Sequence, residues 1–276
     1  MRGLARSRAV ARDLVRTGRV AVDGVRVTKP SAAVRSDQNL SVAGDQDPWV
    51  GRAAYKLLAA LEAFPEVSPD GRRCVDVGAS TGGFTQVLLH RGATHVDAID
   101  VGHDQLAPSV RDDPRVSDLS GVSIRDVVVR GQRGAGRQIA AGEADPTRSR
   151  EVEPAPVVVT DLSFISLTLV MDRLAALTLP GGHLIALVKP QFEVGRHNLG
   201  HGGVVRSPLE RHRALATVLG TVARCGLWTH GLVESPITGG TGNQEYLLWA
   251  RHTPTGKMAD VDSFLDSVRH GHGDRT

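Results

Sequence analysis

The chain is poor in lysine. Of its 276 residues only Lys29, Lys56, Lys189 and Lys257 are Lys, against 29 Arg. Arginine stays protonated at any working pH, whereas a buried lysine can give up its proton. A chain that uses Arg wherever any cation will do draws attention to its few lysines. Aromatic residues make up only 4%, and few fall in the first 45 positions, which argues against base stacking as the means of recognition there. The two cysteines, Cys74 and Cys225, are far apart and have no metal-like spacing. This excludes a zinc motif or a disulfide scaffold and suits buried free thiols in a reducing compartment. No run of 18 or more apolar residues occurs, so no membrane span is expected. The basic N-terminus lacks the apolar stretch of a signal peptide. Together these absences point to a cytoplasmic protein with no metal and no membrane partner.

What is present is an uneven charge. The whole chain carries +3, yet residues 1–45 hold nine Arg or Lys against four Asp, a local +5. A basic end on a near-neutral body suggests a module that binds a polyanion. Ser7 can cap a helix over 7–17, with Val10, Leu14 and Val15 on its apolar side and Gly18 as its stop. Arg8, Arg12, Arg16 and Arg19 surround that face, and Arg2 and Arg6 precede it. Residues 20–27 read as a hairpin with an Asp23-Gly24 turn, and 39–43 can add a strand. Helix, hairpin and clustered Arg form a compact RNA-binding pattern whose contacts are to phosphate and duplex shape.

Hydrophobic content of 41% is enough for a buried core in the remainder. Residues 44–51 read as a linker, and 52–64 as an amphipathic helix with Leu57, Leu58, Leu61 and Phe64 along one side. The stretch 73–85, Arg-Cys-Val-Asp-Val-Gly-Ala-Ser-Thr-Gly-Gly-Phe-Thr, then gives a buried strand, a glycine-rich turn and a helix from Phe84 to His90. This is the opening unit of a nucleotide-binding α/β sheet. Its spacing is not the Gly-x-Gly-x-x-Gly of a dinucleotide site, and Asp76 in the strand suits a ligand with a cationic centre. S-adenosylmethionine (SAM), with a sulfonium and no phosphate, fits. The expected contacts are Asp76, Gly78, Ala79, Ser80, Gly82, Gly83 and Phe84.

Strands then alternate with helices: strands at 95–100, 115–119, 156–161 and 183–189, helices around Gln105 and over 166–179 and 208–225. Residues 121–155 read mostly as a loop, 180–182 as a turn and 195–203 as a second glycine-rich loop. Strands at 228–236 and 245–251 close the sheet, and a helix at 260–268 precedes a polar tail. The expected fold is α/β, a Rossmann-like, mostly parallel, doubly wound sheet behind a small N-terminal α+β RNA-binding domain. The expected divisions are 1–46 for RNA binding, 47–51 linker, 52–252 for the sheet domain and 253–276 for the final helix and tail.

Ligands in such sheets bind at the carboxyl ends of the strands. Asp100 ends the second strand, where a carboxylate can accept both hydroxyls of a ribose. Asp161 and Lys189 end two further strands at the same rim. An antiparallel last strand starts there with Glu245, and the first turns of the 52–64 helix bring Lys56 to it. Topology thus gathers Lys56, Asp161, Lys189 and Glu245.

With those four residues, Asp76 to Thr85, Asp161-Leu-Ser-Phe-Ile-Ser, Leu187-Val-Lys-Pro-Gln-Phe-Glu193 and Gly242-Asn-Gln-Glu245-Tyr, the chain resembles the TlyA family over nearly its whole length. These are ribosomal RNA cytidine 2′-O-methyltransferases related to the FtsJ group and sometimes labelled haemolysins. The resemblance implies a SAM-dependent catalytic domain and an RNA-binding domain of the ribosomal protein S-four type. It further implies cytidines in small- or large-subunit rRNA, or both, as substrates on ribosomal subunits, and an effect on susceptibility to capreomycin-like antibiotics. Against the family pattern the chain lacks about one helix before Arg2. Ser120 to Arg125 also replace a Glu-Arg-Thr-Asn-like run. Two rival readings are a non-catalytic ribosome-binding protein on a methyltransferase fold and a membrane-active haemolysin.

Overall fold

The architecture comes from a computed structural model that describes residues 4–5, 8–43, 47–131, 149–195, 199–254 and 258–270. The chain divides into two compact units, Met1–Pro48 and Trp49–Thr276. Ser7, Arg2, Arg6 and residues 44–46, named above, lie outside the described residues, as do 132–148 of the expected loop.

In the first unit, α1 (Arg8–Arg16) precedes β1 (Val20–Val22), β2 (Val25–Val27) and β3 (Leu40–Val42), which form an antiparallel sheet of order β2-β1-β3. The β1–β2 turn places Asp23 at φ 50° and Gly24 at φ 81°. Two successive left-handed residues match the twist of the flanking strands, which is why Asp-Gly works here. Helix α1 stops at Gly18 (φ 68°), where Gly18 and Arg19 N–H groups donate to Val15 and Leu14 carbonyls, both at 2.9 Å. Arg26 donates to the Gly18 and Thr17 carbonyls at 2.5 and 3.2 Å, so this Arg caps the helix end.

The second unit is built on seven strands: β4 (Arg73–Val77), β5 (His95–Asp100), β6 (Val116–Ser120), β9 (Ala155–Thr160), β10 (Thr178–Val188), β11 (Trp228–Glu234) and β12 (Tyr246–Arg251). Their order is β11-β12-β10-β9-β4-β5-β6. The pairings β10–β9, β9–β4, β4–β5 and β5–β6 are parallel, and β12 runs antiparallel to both β10 and β11. Helices α2 (Ala53–Ala63) and α3 (Gly83–His90) cover one face. Helices α5 (Met171–Leu177), α7 (Pro208–Arg224) and α8 (Met258–His270) cover the other. The central strands are therefore buried on both sides and read as continuous apolar runs, Val157-Val158-Val159 and Leu184 to Val188.

Side chains alternate between the two cores. Val75, Val77, Val158, Leu184, Ala186, Val188, Tyr246 and Leu248 join the α5/α7 side. Cys74, Val157, Val159, Ile185, Leu187, Leu247 and Trp249 join the α2/α3 side. This two-residue period carries Asp76, Asp161, Lys189 and Glu245, the odd or even continuations of the second set, toward α2 and α3.

Some expectations shift. No helix forms at Gln105; the short helix α4 is Pro108–Arg111, started by its proline. The helix expected over 166–179 is split into a 3₁₀ turn, Leu167–Leu169, and α5, because the Ser166 hydroxyl accepts the Thr168 N–H and closes a separate cap. Residues 180–182 lie within β10, whose register slips between Thr178 and His183. The region 121–155 contains a 3₁₀ turn, Ile124–Asp126, and a parallel pair of strands, β7 (Val127–Val129) and β8 (Arg150–Val152). Its valines, Val127, Val129 and Val152, are buried, which drives the pairing. A short helix, α6 (Pro190–Glu193), follows β10, and a 3₁₀ turn lies at His201–Gly203. Cys74 is buried as expected, but Cys225 at the end of α7 is only half-buried.

Candidate active site

The glycine-rich turn is a bent segment in which Gly78, Ser80 and Gly82 have φ of 87°, 48° and 90°. A Cβ on Gly78 would sit 2.9 Å from the Asp161 carbonyl oxygen, so this position requires glycine for space as well as conformation. Most of the turn's amides are already used. Gly78 and Ala79 N–H donate to Ile99 O at 2.8 and 3.1 Å, Gly82 N–H to Ala79 O at 2.8 Å, and Ser80 N–H to Asp100 Oδ2 at 2.8 Å. A pyrophosphate would need such amides; a ligand without phosphate does not.

Asp100 was expected to face a ribose. Both of its oxygens hold backbone, Oδ2 taking Ser80 N–H and Oδ1 taking Gly102 N–H at 2.7 Å. The carboxylate braces the turn against the loop after β5, and a ribose contact would have to use its remaining lone pairs. Asp76 is fully buried beside the first turn of α3, where the Thr85 hydroxyl donates to Oδ2 at 2.6 Å. Its Oδ1 has no hydrogen-bond partner. Burial pushes the Asp76 carboxyl up to about 7; the Thr85 hydrogen bond opposes this, and the charges of Asp161 and Asp100 add to it. An orphaned buried carboxylate oxygen near a glycine turn with spent amides fits a ligand that brings a cation and no phosphate.

Beside the turn lies a cleft of about 170 Å³. Gly51, Arg52 and Ala53 line one side, Gly78 to Thr81 with Gly83 and Phe84 another, and Asp161, Ser163 and Lys189 the third. Behind its wall runs a chain of charges. Glu245 Oε2 accepts from Lys56 Nζ at 2.6 Å, Lys56 Nζ lies 3.9 Å from Asp161 Oδ2, and Lys189 Nζ lies 2.6 Å from Asp161 Oδ1. Lys56, Lys189 and Glu245 are 8, 7 and 2% exposed, so these pairs act with little solvent screening. The Lys189 Nζ–Asp161 Oδ1 contact is close but lacks hydrogen-bond alignment. The aligned partner of Lys189 is the Ser163 hydroxyl at 2.7 Å. The structure thus brings the four rim residues together.

Four residues that lie inside the quoted motifs without a role of their own complete the site. Ser163 is one and Thr85, holding Asp76, another. Glu193 on α6 accepts the Leu167 N–H at 2.9 Å and the Ser166 hydroxyl, tying the loop after β9 to the segment that follows Lys189. Burial raises its carboxyl above the usual range while those two donors lower it. Asn243 is buried, accepts from Val205 N–H and donates to Gly203 O, both at 2.9 Å, and so joins the second glycine-rich loop to the one before Glu245. Their only sequence signal was position: each sits within four residues of a rim residue or, for Thr85, at the end of the glycine-rich stretch.

In the first unit, Arg12 and Arg16 are exposed on α1 and Arg8 lies on the same helix. Arg19 donates its Nε–H to Ala43 O at 2.9 Å. Among the described residues no cluster of three or more His, Cys, Asp or Glu could hold a metal, and no helix is long and apolar enough to cross a membrane.

Comparison with known proteins decides the family. The model of the FtsJ-like methyltransferase family matches residues 49–252, and that of the S4 domain matches residues 1–40. The chain is 43% identical over 268 residues to the 16S/23S rRNA (cytidine-2′-O)-methyltransferase TlyA of Mycobacterium tuberculosis, covering 97% of this chain and 92% of that protein. The chain belongs to the TlyA group of FtsJ-like methyltransferases. Hemolysin A of Brachyspira hyodysenteriae is 33% identical over 89% of this chain and 94% of its own length. A solved structure of a hemolysin-named protein from Streptococcus thermophilus is 32% identical, with a TM-score of 0.68 over 96% of this chain and 92% of that one. Membership makes this chain an FtsJ-like methyltransferase with an S4 domain. The TlyA-type fold expected from the residues is the fold found.

Proposed function

We propose that the protein transfers a methyl group from SAM to the ribose 2′-oxygen of cytidine in ribosomal RNA, on one or both ribosomal subunits. The observation that carries this reading is the buried Lys56-Asp161-Lys189-Glu245 chain bordering a cleft whose other wall is the glycine-rich turn. SAM, when bound, supplies a methyl group on a sulfonium. Gly78 to Phe84 would hold it, with the fully buried Asp76 carboxylate as a negative charge near its cationic end and Asp100 offering its remaining lone pairs to the ribose. Lys189 accepts the proton of the 2′-hydroxyl. The O–H bond would break as an N–H bond forms, leaving the oxygen's electron pair to take up the methyl group that SAM, leaving as a neutral thioether, would supply. Asp161 orients Lys189. Lys56, neutralised by Glu245, fixes the other oxygen of Asp161 and the position of the ribose. Holding the groups in line supplies much of the acceleration. The exposed Arg12 and Arg16 of the first unit, with Arg2, Arg6, Arg8 and Arg19 nearby in sequence, would grip rRNA phosphates in the cytoplasm. The test is mass spectrometry of rRNA fragments after incubating ribosomal subunits with the protein and SAM. A gain of one methyl on a cytidine ribose is expected; unmodified rRNA from both subunits would reject the reading.

A further inference from the structure

We propose that Ser163 is a positioning residue of this site, its hydroxyl holding the Lys189 amine so that the nitrogen lone pair faces the cleft. The inference rests on the reading just given, in which Lys189 takes the ribose proton. A neutral primary amine has two N–H bonds and one lone pair in three tetrahedral directions. Rotation about Cε–Nζ interchanges them unless acceptors hold them. Asp161 Oδ1, at 2.6 Å, takes one direction but is poorly aligned. Ser163 Oγ, an aligned acceptor at 2.7 Å, takes the second. The third is left to the lone pair, and both Lys189 and Ser163 line the cleft. Without Ser163 the lone pair would spend part of its time turned away from the substrate.

The placement of Ser163 is itself held from both ends. On one side the Asp161 N–H and the Thr160 hydroxyl donate to Val77 O at 3.1 and 3.0 Å. On the other side Glu193 clamps Ser166 and Leu167. Between them Phe164 is held at φ 66°, a left-handed turn that a non-glycine residue keeps only when its surroundings impose it. Ser163 is exposed, whereas Lys189 is buried, so a serine-to-threonine change has room for its methyl group.

The experiment measures methyl transfer from tritiated SAM to unmethylated ribosomal subunits for wild type, Ser163→Ala and Ser163→Thr. Losing a hydrogen bond to the lysine nitrogen should lower kcat in Ser163→Ala by roughly ten- to a hundredfold. KM for SAM and for subunits should change little, and Ser163→Thr should restore most of the rate. A full kcat in Ser163→Ala, a loss confined to KM, or an equal loss in Ser163→Thr overturns the proposal alone. Wild-type protein that methylates some position other than a ribose 2′-oxygen overturns the reading of the site and this proposal with it.

Discussion

Lys56 Nζ donates to Glu245 Oε2 at 2.6 Å, although 189 positions separate the two residues in the chain. Lys56 reaches the rim from the first turns of α2, and Glu245 from the start of β12. Both are buried, so removing Glu245 leaves Lys56 out of water with only the 3.9 Å contact to Asp161, which costs up to about 3–5 kcal/mol. Glu245→Ala should therefore lower unfolding stability by that amount in a denaturant titration. Lys56→Met combined with Glu245→Leu should recover most of it while remaining inactive. A double variant no more stable than Glu245→Ala would show that the pair is not energetically coupled.

Asp76 gives a pH dependence with a definite sign. Its folded-state value is raised to about 7, first by burial, while in the unfolded chain it titrates near 3.9, as an ordinary Asp does. Between these values the folded protein binds the extra proton. Its contribution to stability is thus full below about pH 4 and is lost as pH rises through about 7. The melting temperature of the ligand-free protein should fall between pH 5.5 and 8 more steeply than that of Asp76→Asn. A cation placed beside Oδ1 favours the ionised form, so SAM binding near pH 7 should release up to about half a proton. Calorimetry in two buffers of different ionisation enthalpy reads this directly; identical heats would remove Asp76 from the ligand's surroundings.

The rim was legible because strand parity is legible. In β9 and β10 the residues two and four before Asp161 and Lys189 are apolar, and those two and four after Glu245 are Leu247 and Trp249. All of them join the α2/α3 core. A polar residue that continues such a set points to the same side, and α2 supplies Lys56 to meet it. The glycine turn was legible for a similar reason, since Gly78 and Gly82 are glycines at positive φ. Asp100 was legible at the end of β5, but its second task of holding the Ser80 and Gly102 amides was not, because backbone amides that bind a carboxylate leave no mark in the side-chain sequence. Ser163 and Glu193 act through contacts between loops, at 26 residues' separation in both cases. Loop-to-loop contacts carry no periodicity to betray them. The pairing of β7 with β8 was missed because three-residue strands in an Arg- and Gly-rich stretch give too short a pattern.

Gly82 tests the ligand wall. It holds φ 90°, and a Cβ there would lie 2.9 Å from Val110 Cγ1. Gly82→Val forces both a disfavoured backbone and a shift of α4. SAM affinity measured by calorimetry should drop at least tenfold, given a strain of order 1–3 kcal/mol at a position that shapes the cleft. Circular dichroism should confirm that the sheet persists. Unchanged affinity in a folded variant would move the cofactor elsewhere.

The first unit should act through charge. Arg12 and Arg16 are exposed on α1. Replacing both by Glu should leave SAM binding intact and weaken subunit binding. If each Arg meets one phosphate, the slope of log affinity against log salt should lessen by about two. Subunit binding with the same strength and the same salt slope would show that this face does not touch RNA.

Lys189 carries the sharpest expectation. The 2′-hydroxyl is a weak acid, so its loss of a proton in the transition state benefits from a base within hydrogen-bond reach. Lys189 ends an apolar strand, is 7% exposed, and lines the cleft opposite the glycine turn. Arginine in its place would keep the positive charge and could still pair with Asp161, but it cannot release a proton at working pH. Lys189→Arg should therefore bind SAM and subunits nearly as wild type does. Its methyl transfer should fall by about 10²–10⁴, the usual worth of a general base. Rates would be taken at saturating SAM and subunits, so that any weakened binding does not count as lost chemistry. Near-normal turnover in Lys189→Arg would make Lys189 an electrostatic support only. The proton would then have to leave through Asp161 or directly to water, and holding the Lys189 lone pair could no longer be what Ser163 does.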